Sequence, residues 1–117
     1  MAVYGLAQFF APEFASAFWP WKIDAFHGRM YSAIFLTGAV GAFVLARAAA
    51  PIEYFTLGIT YGVLGLFAIV GLVVVDASVR SVDWSAASTW VWVVAFAISL
   101  IAGVALMWYS RAVRNEA

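Results

Sequence analysis

Polar side chains are spaced along this chain so as to leave three long apolar stretches, at about residues 30–46, 54–75 and 88–110. Only Thr and Ser interrupt their apolar, Gly-rich character, and no charged side chain falls in the middle of any of them. About 20 apolar residues at ~1.5 Å rise per residue match the ~30 Å hydrocarbon slab of a bilayer. The pattern therefore predicts an all-α integral membrane helical bundle, with 1–117 forming a single transmembrane helical domain. Taken to their polar limits, the three spans run over about 28–46, 52–76 and 85–110. A fourth hydrophobic segment, at about 2–19, precedes them and is short or kinked.

Pro12-Glu13 is what sets this first segment apart. Proline removes a backbone donor and tends to kink or end a helix, while Pro followed by Glu is also a common helix start. Two arrangements fit. One is a kinked spanning helix. The other is a short helix ending near Phe10, followed by an interfacial helix from Pro12 to about Phe18. The opening MAVYGLAQFFA lacks the basic region of a cleaved signal peptide and reads as part of the mature protein. Residues 19–29, WPWKIDAFHGR, connect to the second segment; Arg47 marks its exit and Pro51 starts the third. The stretch DASVRSVDWSAAS reads as a loop, with Asp83 or Ser85 capping the last helix, and Arg111, Arg114 and Glu116 form a polar tail.

Composition agrees with the hydropathy pattern. Apolar residues are 67% and charged residues 10% of the chain, against ~45–50% and ~25% in soluble domains. Six basic and six acidic residues balance, so net charge suggests neither nucleic acid nor a polybasic lipid-binding patch. The absence of cysteine excludes disulfides, thiol chemistry and thiolate metal sites. Arg47, Arg111 and Arg114 fall on one side of the layout and Lys22, Arg29 and Arg80 on the other; the C-terminus is assigned to the cytoplasm. Trp19, Trp21, Trp84 and Trp90 then mark one interface, and Tyr54, Trp108 and Tyr109 the other, as an aromatic belt.

Helices in lipid associate through close packing, which small residues four apart permit. Such rows occur at Gly38, Ala42 and Ala46, at Gly58, Gly62 and Gly65, and at Ala95, Ser99 and Gly103. A bundle this small exposes nearly its whole circumference. It is expected to form a homo-oligomer or to dock on other membrane subunits, with lipid around the rest.

Few residues offer chemistry. An ionisable group inside a membrane is a functional candidate, and Glu13 qualifies as a proton or cation site if the first segment spans. Otherwise it is a first-turn glutamate satisfying free backbone N–H groups at an interfacial helix start. The single histidine, His27, lies in Asp24-x-x-His27-x-Arg29. At helical spacing Asp24 shares its face and can orient the imidazole or pair with Arg29. One histidine supplies one axial ligand to haem or chlorophyll, and no second is present for a bis-imidazole haem or a zinc site. No Ser/His/Asp set, phosphate loop or midplane acidic pair is present either, so catalysis is not expected.

Three resemblances bear on this reading. The Asp24-x-x-His27-x-Arg29 pattern is loosely similar to the Glu-x-x-His/Asn-x-Arg element of plant-type chlorophyll-binding helices, with Asp in place of Glu and no second element. The stretch Trp19-Pro20-Trp21 followed by Arg29 resembles a segment of uncharacterised bacterial multi-helix membrane proteins. That resemblance covers about a sixth of the chain. It implies a helical membrane fold in a bacterial inner (plasma) membrane and no assigned activity. Trp19, Pro20, Trp21, Asp24, His27 and Arg29 together form an interfacial structural element. In it Pro20 stiffens the backbone between two Trp rings, and Arg29 reaches headgroup phosphate or loop carbonyls. Size, segment plan, Tyr4, Glu13, Tyr61 and Ala102-Gly103-Val104 with Ser110-Arg111 are similar to the small multidrug resistance transporters, which are antiparallel dimers with one first-helix glutamate. Pro12 before the glutamate, the lack of tryptophan near Tyr61 and the WPWKIDAFHGR connection depart from that family.

The expectation is a small non-enzymatic integral membrane protein acting as a structural or accessory subunit, without a cofactor. Alternatives are a proton-coupled exporter using Glu13 and a pigment or haem subunit using His27.

Overall fold

A computed structural model describes residues 1–46 and 50–116, the side chains of Asn115 and Glu116 excepted. Arg47, assigned to the exit of the second segment, lies outside the described residues. The described chain is helical throughout its regular structure: α1 (Ala2–Phe10), α2 (Pro12–Ala15), a 3-10 turn (Ser16–Phe18), α3 (Ala25–Leu45), α4 (Pro51–Val79) and α5 (Ala87–Glu116). Three of these, α3, α4 and α5, are long and apolar enough to cross a membrane, which is consistent with an integral membrane protein.

The first segment is not a fourth long helix. Ala11 leaves helical geometry at φ −131°, ψ 60°, because the ring of the following proline crowds the α conformation of the residue before it. Pro12 then starts the four-residue α2, which tightens into the 3-10 turn. Of the two arrangements open to the sequence, the structure has the helix that ends at Phe10.

Backbone chemistry fixes the other ends. Asp24 caps α3 by accepting the His27 N–H at 2.9 Å. Pro51 starts α4 where a missing N–H costs nothing, and Glu53 Oε2 accepts the Ala50 N–H at 2.6 Å. α4 continues past residue 76, because Ser78 turns its hydroxyl back to Val74 O at 2.7 Å and Asp76 turns outward to Trp84 Nε1 at 2.8 Å. It stops at Arg80, which takes the left-handed conformation (φ 48°) and donates its N–H to Asp76 O at 2.9 Å. Asp83 does not cap α5, nor does Ser85. Asp83 Oδ1 instead accepts the Ser85 N–H at 2.9 Å and hydroxyl at 2.6 Å, folding the loop ahead of Ala87.

The helices form two antiparallel pairs. In one, α4 and α5 meet through glycine. A Cβ on Gly58 would lie 2.7 Å from Gly103 O, and one on Gly103 would collide with the Gly62 backbone. Such backbone-to-backbone contact is what small residues allow in lipid. In the other pair, α1 runs back along α3, with Gly5 against Phe35 and Leu36 and Pro12 against Gly28. The pairs touch lightly between α3 and α4, where the Tyr61 hydroxyl donates to Gly38 O at 3.0 Å. At the Trp19 end they are joined by rings, described next.

Candidate functional site

The Trp19-Pro20-Trp21 element is the joint between the two helix pairs. Trp19 is extended (φ −79°, ψ 141°), as a residue before proline must be, and Pro20 is buried. Trp19 stacks on Tyr31 of α3 with centroids 4.9 Å apart and planes 7° from parallel. Both indoles meet Trp92 of α5 edge-on, at 5.8 Å and 5.9 Å. Trp92 in turn packs on Phe96 at 4.3 Å, and Phe96 on Phe35 of α3 at 6.2 Å. Pairs of this geometry each add ~0.5–1.5 kcal/mol beyond area burial. Trp19 and Trp21 are thus more than belt residues facing headgroups. The Nε1 atoms of Trp19 and Trp92 are buried without a hydrogen-bond partner among the described residues.

The polar residues of the element divide into two functions. Asp24 faces His27 rather than Arg29: His27 Nδ1 donates to Asp24 Oδ2 at 2.7 Å. The His27 amide and then its imidazole hold the Asp24 carboxyl below the usual carboxylate range. In the neutral tautomer that keeps this bond, the lone pair is on Nε2, and the side chain is 54% exposed. Arg29 reaches back to α1, its Nε donating a long hydrogen bond of 3.4 Å to Phe9 O. That carbonyl belongs to the last turn of α1, where the helix leaves acceptors free.

Glu13 stands in the first turn of α2, exposed, and its carboxylate caps no backbone N–H. It lines a polar cleft of about 610 Å³ with Lys22, Asp24, Asp83 and Ser81 at the Trp end of the molecule. The Ser85 hydroxyl and then its amide lower the Asp83 carboxyl below its ordinary value. Among the described residues no three His, Asp or Glu side chains converge as metal ligands.

A second, apolar groove of about 590 Å³ lies between the helix pairs, walled by Tyr4, Phe35, Tyr61, Trp92, Phe96 and Ala95 among others. Of the small-residue rows, Gly58, Gly62, Gly65 and Gly103 form the α4–α5 seam. Ser99 joins them by donating to Tyr61 O at 3.4 Å. Ala95 lies on the groove wall instead. In α3, Gly38 faces Tyr61, while Ala42 is half-buried and Ala46 exposed.

Two residues of structural weight escaped the sequence reading. Trp92 is the hub of the ring cluster. Gln8 of α1 is wholly buried, with its Nε2 donating to Tyr4 Oη at 3.5 Å and its Oε1 without a partner among the described residues. A lone glutamine in an apolar stretch was the available signal for the second.

Set against known proteins, the chain matches no family model, and neither a curated protein nor a solved structure proved similar to it.

Proposed function

We propose that the protein is a non-enzymatic accessory or structural subunit that works against other protein in the membrane, either a second copy or a larger assembly. One observation carries this reading. No more than 22% of the spanning window of α3, α4 or α5 is buried within the chain. The two helix pairs also leave the groove of about 590 Å³ open between them. A unit of this size has more apolar perimeter than internal seam. In lipid, specific association must then come from close packing and hydrogen bonds on that perimeter. The buried ring cluster serves this role by holding the pairs in one relation, so that a partner meets a defined surface.

The test is gentle extraction of the chain at native abundance, with mass measurement of the complex and identification of whatever co-elutes. A defined stoichiometry with itself or with particular membrane proteins supports the proposal. A lone chain in every mild detergent and in lipid nanodiscs refutes it.

The Asp24–His27 bond favours a second reading, a pigment or haem subunit. A carboxylate on Nδ1 orients an imidazole and makes Nε2 a better ligand, the arrangement common behind metal-bound histidines. Haem iron or chlorophyll magnesium would take the Nε2 lone pair of His27, and Asp24 would hold the ring. A visible absorbance band in protein from its native membrane, abolished by His27→Ala, supports this reading. A colourless preparation removes it.

A further inference from the structure

At the end of the bundle away from the tryptophan cluster, the start of α4 and the end of α5 enclose a cleft of about 260 Å³. Arg111, Arg114 and Ser110 of α5 line it on one side, and Pro51, Ile52 and Phe55 of α4 form its apolar floor on the other. We propose that this cleft binds the phosphate headgroup of an anionic phospholipid, with both guanidiniums on the phosphate and the glycerol and upper acyl carbons against the floor.

Four features lead there. Arg111 and Arg114 are three apart on one helix and so project from the same face. The Arg111 guanidinium lies 5.8 Å over the Phe55 ring, close enough for cation–π attraction to hold it at the cleft. Neither arginine has an acidic partner among the described residues. Planar guanidinium donors match phosphate oxygens in geometry as well as charge.

The start of α4 adds to the same field. Pro51 has no N–H and Glu53 N–H is taken by Ala50 O at 2.9 Å. The Ile52 amide is thus left without a partner among the described residues, at the positive end of a 29-residue helix. The Glu53 carboxylate is engaged on Ala50 N–H at 2.6 Å and does not line the cleft.

The floor decides the source of the phosphate. A soluble anion has no use for Pro51, Ile52 and Phe55, whereas a phospholipid carries apolar carbon directly below its charge. The volume is smaller than the ~300–1,000 Å³ of a typical small-molecule pocket, so it admits a headgroup and leaves the tails in the bilayer. Tyr54 and Tyr109, with rings 5.5 Å apart, lie at the same end, the depth at which such aromatics meet headgroups. Whole-chain net charge conceals this, because six basic and six acidic residues cancel over the full sequence.

Native mass spectrometry of the full chain in detergent, with equal concentrations of phosphatidylglycerol and phosphatidylcholine, tests the proposal. One phosphatidylglycerol adduct is expected to dominate. Its relative affinity should fall about fivefold for each guanidinium removed in Arg111→Gln and Arg114→Gln. Lys22→Gln with Arg80→Gln removes equal charge from the other end and should leave the adduct unchanged. Equal selectivity in all variants, or an equal loss in the Lys22/Arg80 pair, overturns the site. Displacement of the lipid by millimolar inorganic phosphate, but not by chloride of matched ionic strength, overturns the lipid as occupant.

Discussion

A methyl group at Gly65 has no room. Its ideal Cβ would lie 2.5 Å from Phe96 O and 2.6 Å from Leu100 N. Both obstacles are backbone, so no side-chain rotation clears them. Attractive contact between heavy atoms begins near ~3.5 Å, so α4 and α5 must move about 1 Å apart along this line. A gap of that size forfeits a quarter to a half of the attraction at neighbouring contacts. Overpacking strain runs to about 1–3 kcal/mol, and alanine recovers about 1 kcal/mol over glycine in a helix interior. Because both clashing atoms are backbone, the strain lies in the upper part of that range. Gly65→Ala should cost about 1–2 kcal/mol net, roughly a five- to thirty-fold shift in the folding equilibrium.

Gly71 is the internal reference. It is in the same helix, and a Cβ there meets nothing within 4 Å. Gly71→Ala should be neutral or stabilising by up to about 1 kcal/mol. The assay is reversible unfolding of the reconstituted chain in mixed micelles titrated with dodecyl sulfate. Near-ultraviolet circular dichroism of the tryptophan cluster follows the tertiary contacts. Finding Gly65→Ala as stable as Gly71→Ala would show that the α4–α5 seam is not held at this separation, and the reasoning fails with it.

Further outcomes follow from individual side chains. Gln8 is wholly buried with Oε1 unpartnered among the described residues, so Gln8→Met, similar in volume, should stabilise by about 1 kcal/mol in the same titration; a loss would mean that Oε1 has a partner or that the long bond to Tyr4 Oη outweighs its desolvation. Arg29→Ala removes the bond to Phe9 O and should lower the folded yield in detergent, whereas an unaltered yield counts against Arg29 as a tie between α1 and α3. The lowered Asp24 carboxyl gives a signed pH effect. Its contribution is complete above the unfolded value near ~3.9 and is lost as pH falls through the lower folded value. The His27 amide should lose protection, corrected for intrinsic exchange, only in that acid window. Asp24→Asn should abolish this pH dependence.

What the hydropathy pattern could reveal was the spans, because a bilayer imposes a length on apolar runs and charges interrupt them. It could not place the helix ends. The last segment was expected to finish near residue 110, yet α5 carries on through Arg111 and Arg114 to Glu116. Polarity marks where a chain meets headgroups, whereas a helix stops where its backbone is turned. At Arg80 that is a left-handed residue, and at Ala11 it is the proline that follows. Pro12 carried a visible warning. Arg80 carried none, since glycine is the usual occupant of such a position.

The candidate site divides along the same line. Asp24 and His27 are three apart at a helix start, so their bond was legible as local geometry. The convergence of Trp19 and Trp21 on Trp92 joins residues more than 70 positions apart, and no spacing rule reaches across that. The small-residue rows show why pattern alone misleads. Gly58, Gly62 and Gly103 make the seam, and Ala95, one member of an equally regular row, faces the groove. Small side chains permit approach without requiring it. Where they do meet, α4 and α5 are held backbone to backbone; where they do not, α3 meets α4 lightly, with the Tyr61 hydroxyl donating to Gly38 O. The joint between the helix pairs therefore rests chiefly on the aromatic cluster at one end, where Trp19 and Trp21 meet Trp92.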